Sequence, residues 1–88
     1  MLAEEGTTEH HPHKVQVTVN TKPVEVRGPR ATGLEIKEDA IAQGVQIELD
    51  FILSVELPDG RHRVVGNDQT ITVHKGQAFT AVPDDDNS

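Results

Sequence analysis

Apolar and polar residues alternate along most of this chain, and one segment breaks the two-residue period. From Lys14 to Asn20, Val15, Val17 and Val19 take every second place between Lys14, Gln16 and Thr18, which predicts a strand with one face buried. Asn20-Thr21-Lys22 reads as a turn, and Val24 and Val26 resume the alternation, so the two segments predict a hairpin. Pro23 at the start of the second strand fits an edge position, where no ladder donor is required. Gly28-Pro29-Arg30 ends that strand. After residue 44, Val45 and Ile47 are expected to cover the end of the sheet. From Asp50 to Leu57, Phe51, Leu53, Val55 and Leu57 fall on one face, with Ile52, Ser54 and Glu56 on the other. Pro58-Asp59-Gly60 is a turn signal, so Arg61 to Val65 should return antiparallel. Gly66-Asn67-Asp68 turns again. Gln69 to Val73 and Ala78 to Val82 are the last two strands, separated by the turn His74 to Gln77, and Pro83 stops the second of them.

The segment that breaks the period runs from Ala31 to Gly44. Thr32 followed by Glu35 fits a capping box, in which each side chain takes the other's backbone amide. Leu34, Ile36, Ala40 and Ile41 supply an apolar side at roughly helical spacing, leaving Lys37, Glu38 and Gln43 for water. Gly44 stands where a left-handed helix end is expected. A helix of about three turns is marginal alone and must pack on the strands. Hairpin, helix and then several short strands is the β-grasp arrangement. The fold class predicted is α+β, a mixed four- or five-stranded sheet with one main helix packed on one face and a right-handed crossover through that helix. Residues 1–13 read as a disordered arm, 14–82 as the domain and 83–88 as a flexible acidic tail.

Composition narrows what this body can do. The chain has 88 residues, no cysteine, and two aromatic residues, Phe51 and Phe79, so its core must be built from Val, Ile and Leu. A formal net charge of −7, with Glu4, Glu5 and Glu9 before the domain and Asp84, Asp85 and Asp86 after it, argues against a nucleic-acid binder. No stretch approaches membrane-spanning length, and the cytoplasm is the default location. No nucleophile elbow, phosphate loop or HExxH motif is present. An enzyme is therefore not expected, and neither is a cofactor. His10, His11 and His13 form a local imidazole cluster broken by Pro12, without the fixed geometry of a metal site. His62 and His74 sit at turns with no nucleophile to serve. Glu35, Glu38 and Asp39 suit the start of a helix dipole. Arg61 and Arg63 should project together from one strand, with His62 on the other side, as a small basic spot able to orient a partner or to keep an edge soluble.

The run Thr32 to Lys37, the Phe51-to-Leu57 strand, the Gly60-Arg61 turn and the Gly76-x-x-Phe79 ending together resemble the bacterial multiubiquitin domain family, over residues 15–82. These are ubiquitin-like β-grasp proteins. The resemblance implies a protein modifier whose C-terminal tail is activated by an E1-like enzyme. Transfer to a target would follow in a bacterial conjugation-like pathway, with E2-like and JAB-type peptidase partners and a role in antiphage defence. The reactive end would then be Ser88, carried on Asn87, Asp86, Asp85 and Asp84. Ubiquitin-like modifiers end in Gly-Gly, whereas no glycine follows Gly76 here. An activating cleft suited to an acidic tail, prior trimming of the tail, and a non-conjugated adaptor or self-assembling scaffold are the three ways to accommodate that departure. The resemblance also points to the sheet face opposite the helix as a partner surface. Its candidates are Ile52, Ser54 and Glu56, with Arg61 and Arg63 added as the basic spot. A sheet edge is the candidate for homo-oligomer formation. Lys14, Lys22, Lys37 and Lys75 are the four lysines through which copies could be linked.

Overall fold

The structure, a computed structural model, describes residues 13–84. The metal hypothesis at His10 and His11, most of the N-terminal arm, and Asp85, Asp86, Asn87 and Ser88 lie outside them. The described strands are β1 (His13–Val19), β2 (Lys22–Gly28), β3 (Arg30–Thr32), β4 (Ile52–Glu56), β5 (His62–Val65), β6 (Thr70–Thr72) and β7 (Ala78–Val82), with α1 (Gly33–Ala42) between β3 and β4. Five strands form one mixed sheet in the order β2-β1-β7-β4-β5. Only β1 and β7 run parallel, with Thr18 beside Ala78 and Val19 beside Phe79. This is the β-grasp fold, with α1 packed on one face. β1 begins one residue earlier than its alternation predicts, and the strand expected over 50–57 is shorter, ending at Glu56.

The hairpin turns on two residues, Asn20 and Thr21, with φ of 52° and 68°. Turns with both central residues at positive φ match the twist of the flanking strands. Asn20 also reaches across to β7: its side chain donates to Ala81 O (3.0 Å) and accepts from Ala81 N (2.8 Å), while its backbone N donates to Phe79 O (2.9 Å). Pro23 lies on β2, the outermost strand on that side, as its missing donor requires.

The capping box is present: Glu35 N donates to Thr32 Oγ1 (3.1 Å) and Thr32 N to Glu35 Oε1 (3.0 Å). The two amides ahead of Glu35 are taken by the β5–β6 turn, Gly33 N by Gln69 O (3.2 Å) and Leu34 N by Asn67 O (3.1 Å). This docking leaves no room for a side chain at residue 33, where a Cβ would lie 2.8 Å from Val65 O. At the other end Gly44 adopts φ of 97°, as its position predicts.

The helix is rotated from the expected phase. Its buried residues are Gly33, Ile36, Lys37 and Ala40, whereas Ile41 is 38% exposed and Leu34 half-buried. Lys37, expected in water, is only 2% exposed. Its Nζ donates to Leu49 O (2.7 Å) and Phe51 O (2.6 Å), so the ammonium ties the loop before β4 to the helix. Burial lowers its pKa, opposed by the charge of Asp50. Val17, Val19, Val24, Val26, Ile36, Leu53, Val65 and Phe79 are the largest fully buried side chains. Val45 and Ile47 are also buried, and Phe51 and Leu57 pack against the core from the same side as Leu53 and Val55.

Thr70–Thr72, part of the expected 69–73 strand, lies outside the main sheet. It pairs with Arg30–Thr32 as a separate two-stranded ribbon, Ala31 opposite Ile71. The segment between β2 and the helix, read from sequence as a simple connection, is therefore itself paired.

Candidate functional site

The helix covers one sheet face, so the opposite face carries the accessible side chains of β4, β5 and β7. Leu53 and Val55 point into the core, which turns Ile52, Ser54 and Glu56 outward. Antiparallel partners share a face. Ile52 is opposite Val82, Ser54 is opposite both Val64 and Thr80, and Glu56 is opposite His62. The outer face thus gathers Ile52 (37% exposed), Val64 (59%) and Val82 (47%) into one apolar cluster. Ile52 and Val82 are a direct pair, and Val64 lies diagonal to Ile52, within about 7–8 Å by sheet geometry. Ser54, Thr80, Glu56 and His62 supply a polar margin. Three of five sequence candidates, Ile52, Ser54 and Glu56, share this surface.

Arg61 and Arg63 do not. Arg63 is opposite Val55 and so lies on the helix side of the sheet. Arg61 precedes β5 and is held by Asp59, its Nε donating to Oδ2 at 2.8 Å. The hydrogen bonds from the Arg61 backbone and side chain lower the Asp59 pKa. Alternation alone puts Arg61 and Arg63 together but does not say on which face, because that depends on the register set by the Pro58–Gly60 turn. Val64 and Val82, the residues the sequence reading missed, were findable: of the adjacent Val64 and Val65 one must face out, and burial of Phe79 and Ala81 forces Val82 outward.

The tail leaves from β7, an interior strand hydrogen-bonded to β1 and β4. Asn20 fixes Ala81, the penultimate residue of that strand, through both backbone groups. The chain therefore departs from a firmly held point beside Ile52 and Val82. Pro83 and Asp84 are exposed.

The two sheet edges differ. At β2, Gln43 donates to Glu25 O (2.6 Å) and accepts from Glu25 N (2.9 Å), and Asp39 accepts from Arg27 N (2.8 Å). Asp39 also binds the Arg27 guanidinium through Nη2 (2.8 Å) and Nε (3.2 Å), with Glu35 (3.7 Å) and Glu38 (3.6 Å) beside the same cation. Hydrogen bonding to Asp39 raises the Arg27 pKa against the effect of burial. Burial alone would push Asp39 up, but its bonds from Arg27 outweigh this and hold it below the usual carboxylate value. The helix acids expected to serve the dipole are thus arranged around one arginine, and the helix closes this edge. At β5, Leu57 N donates to Arg61 O (2.6 Å). Strict alternation then directs the backbone groups of His62 and Val64 away from β4, toward water.

Among the described residues no three His, Cys, Asp or Glu side chains converge as a metal site would need, and no helix is long and apolar enough to cross a membrane. Among the described residues, a mixed five-stranded sheet with one helix across one face and an apolar cluster on the other defines a ubiquitin-like β-grasp protein. Residues 15–85 match the multiubiquitin family, and the chain belongs to it. No curated protein and no solved structure matches it.

Proposed function

We propose that this chain is a ubiquitin-like protein modifier, presented by its tail to an E1-like activating enzyme and transferred to a target protein. The observation that carries the reading is the family match over residues 15–85 on a β-grasp body. Activation requires a carboxylate held at the end of an extended segment, and β7 leads into residues 83–88 from a strand fixed by neighbours on both sides. The acidic residues Asp84, Asp85 and Asp86 are the recognition element, met by a basic cleft in the activating enzyme. Ile52, Val64 and Val82 are the surface on which an E2-like protein and a JAB-type peptidase read the body of the modifier, because an exposed apolar cluster rimmed by polar residues is the form an interaction site takes. Arg61 and Arg63, on the other face, lie outside this surface.

A second reading, a non-conjugated adaptor, uses the same apolar cluster of Ile52, Val64 and Val82. Intact-mass measurement with the activating enzyme and ATP separates the two. An ATP-dependent covalent adduct on the full chain, lost on deletion of residues 84–88, is the result expected of a modifier. Absence of an adduct with an enzyme shown to bind ATP would leave the adaptor.

A further inference from the structure

On the helix side of the sheet, beyond the helix, an open groove of about 860 Å³ runs between the end of β4, β6 and the β6–β7 turn. Val55, Leu57 and Ile71 form its apolar floor, and Arg63, His74 and Lys75 stand along it, with Glu56 the one acidic residue on its lining. Arg63 and Lys75 make no ion pair among the described residues. Two uncommitted cations over an apolar floor, on a chain of net charge −7, fit an extended acidic segment.

We infer that the occupant is the acidic arm of this same chain, residues 4–9, with Glu9 on Lys75 and Glu4 and Glu5 reaching Arg63. The arm joins β1 at His13, at the groove's end of the molecule, since Gly76 N donates to Gln16 O (2.8 Å). Lys75 is therefore about two residues and one strand spacing from His13, roughly 8–10 Å. Glu9 lies four residues before His13 and reaches about 13 Å when extended. Arg63 is level with Val55, Phe79 and Val19 across the sheet. That is six residues and three strand spacings from His13, about 25 Å. Glu5 and Glu4, eight and nine residues before His13, reach about 26–30 Å. The carboxylates of the arm are spaced as the cations of the groove are. The acidic residues after β7 compete poorly, because that strand runs from Ala78 to Val82, away from Lys75.

With no cysteine in the chain, Gly6→Cys in the full-length protein provides a single nitroxide position. At pH 8 and at low salt, the amide signals of Arg63, Lys75 and Gln77 should be lost to paramagnetic broadening, while those of Lys22 and Glu25 at the other edge persist. Raising ionic strength to about 1 M, where charges are screened beyond ~3 Å, should restore them. The triple variant E4Q/E5Q/E9Q and the pair R63E/K75E should each restore them as well. Signals that persist from the outset, or broaden equally on every face, overturn the inference. So does broadening seen only when labelled and isotope-enriched copies are mixed, which would make the occupant a second copy. Groove signals that respond to D84N/D85N/D86N and not to the arm variant would assign the groove to the tail instead.

Discussion

Two side chains whose polar atoms reach backbone in other elements each hold more of the fold than their place in the sequence suggests. Asn20 satisfies both backbone groups of Ala81 from a position whose φ of 52° glycine also tolerates. Asn20→Gly therefore removes the two hydrogen bonds without adding backbone strain. It is expected to cost ~1–3 kcal/mol in a denaturant titration, and to speed hydrogen exchange at the Ala81 amide more than at Leu53. The end of β7 should loosen just where the tail departs. Lys37 is the second case. Lys37→Met keeps the aliphatic stem but leaves Leu49 O and Phe51 O without their donor, and should cost a further ~1–3 kcal/mol. Its burial also removes it from chemistry at the surface. Limited acetylation of the folded protein, mapped by mass spectrometry, should modify Lys14, Lys22 and Lys75 and spare Lys37. Any lysine linkage between copies is then confined to those three and the N-terminal amine.

Elements meet at two contacts that substitutions can address separately. Gly→Ala in an exposed helix normally stabilises by ~1 kcal/mol, but Gly33 faces the backbone of Val65 and Gly66. Gly33→Ala must push the helix start off the β5–β6 turn, and the sign reverses: a loss of ~2 kcal/mol or more is expected. At the other contact, the lowered pKa of Asp39 fixes a pH dependence. A carboxyl depressed in the folded state contributes stability above its unfolded value of 3.8 and loses it as pH falls through the lower folded value. Asp39→Asn should cost ~1 kcal/mol near neutrality, as a partly exposed ion pair does, and the two proteins should converge in stability toward pH 2. These contacts also show why the sequence was legible only in part. The hairpin, the capping box and the outward Ile52, Ser54 and Glu56 follow from patterns a few residues long. The β3–β6 ribbon joins two three-residue strands far apart in sequence, too short to show a period. The helix phase departed from expectation because the Lys37 ammonium is hydrogen-bonded by loop carbonyls that carry no sequence signal, and the face of Arg63 depended on hairpin register.

At the scale of the whole molecule, the two faces of one sheet differ in chemistry. The outer face carries Ile52, Val64 and Val82 beside the departing tail, and the helix side carries the basic groove with Arg63 and Lys75. A charge introduced at Ile52 or Val64 disrupts no core contact, because both side chains are exposed, so Ile52→Glu and Val64→Glu should each alter stability by no more than ~0.5 kcal/mol. Either should desolvate a charge on contact with a partner, and loss of a central hot-spot residue costs ~2 kcal/mol or more. Transfer from the activating enzyme to the E2-like protein should therefore weaken at least about tenfold in apparent affinity, with adenylation of the tail retained. Arg63→Glu, on the opposite face, should leave that transfer unchanged. Equal effects from all three variants would show that the body is not read by its outer face. A loss confined to Ile52→Glu and Val64→Glu would make the apolar cluster a recognition surface distinct from both the tail and the groove.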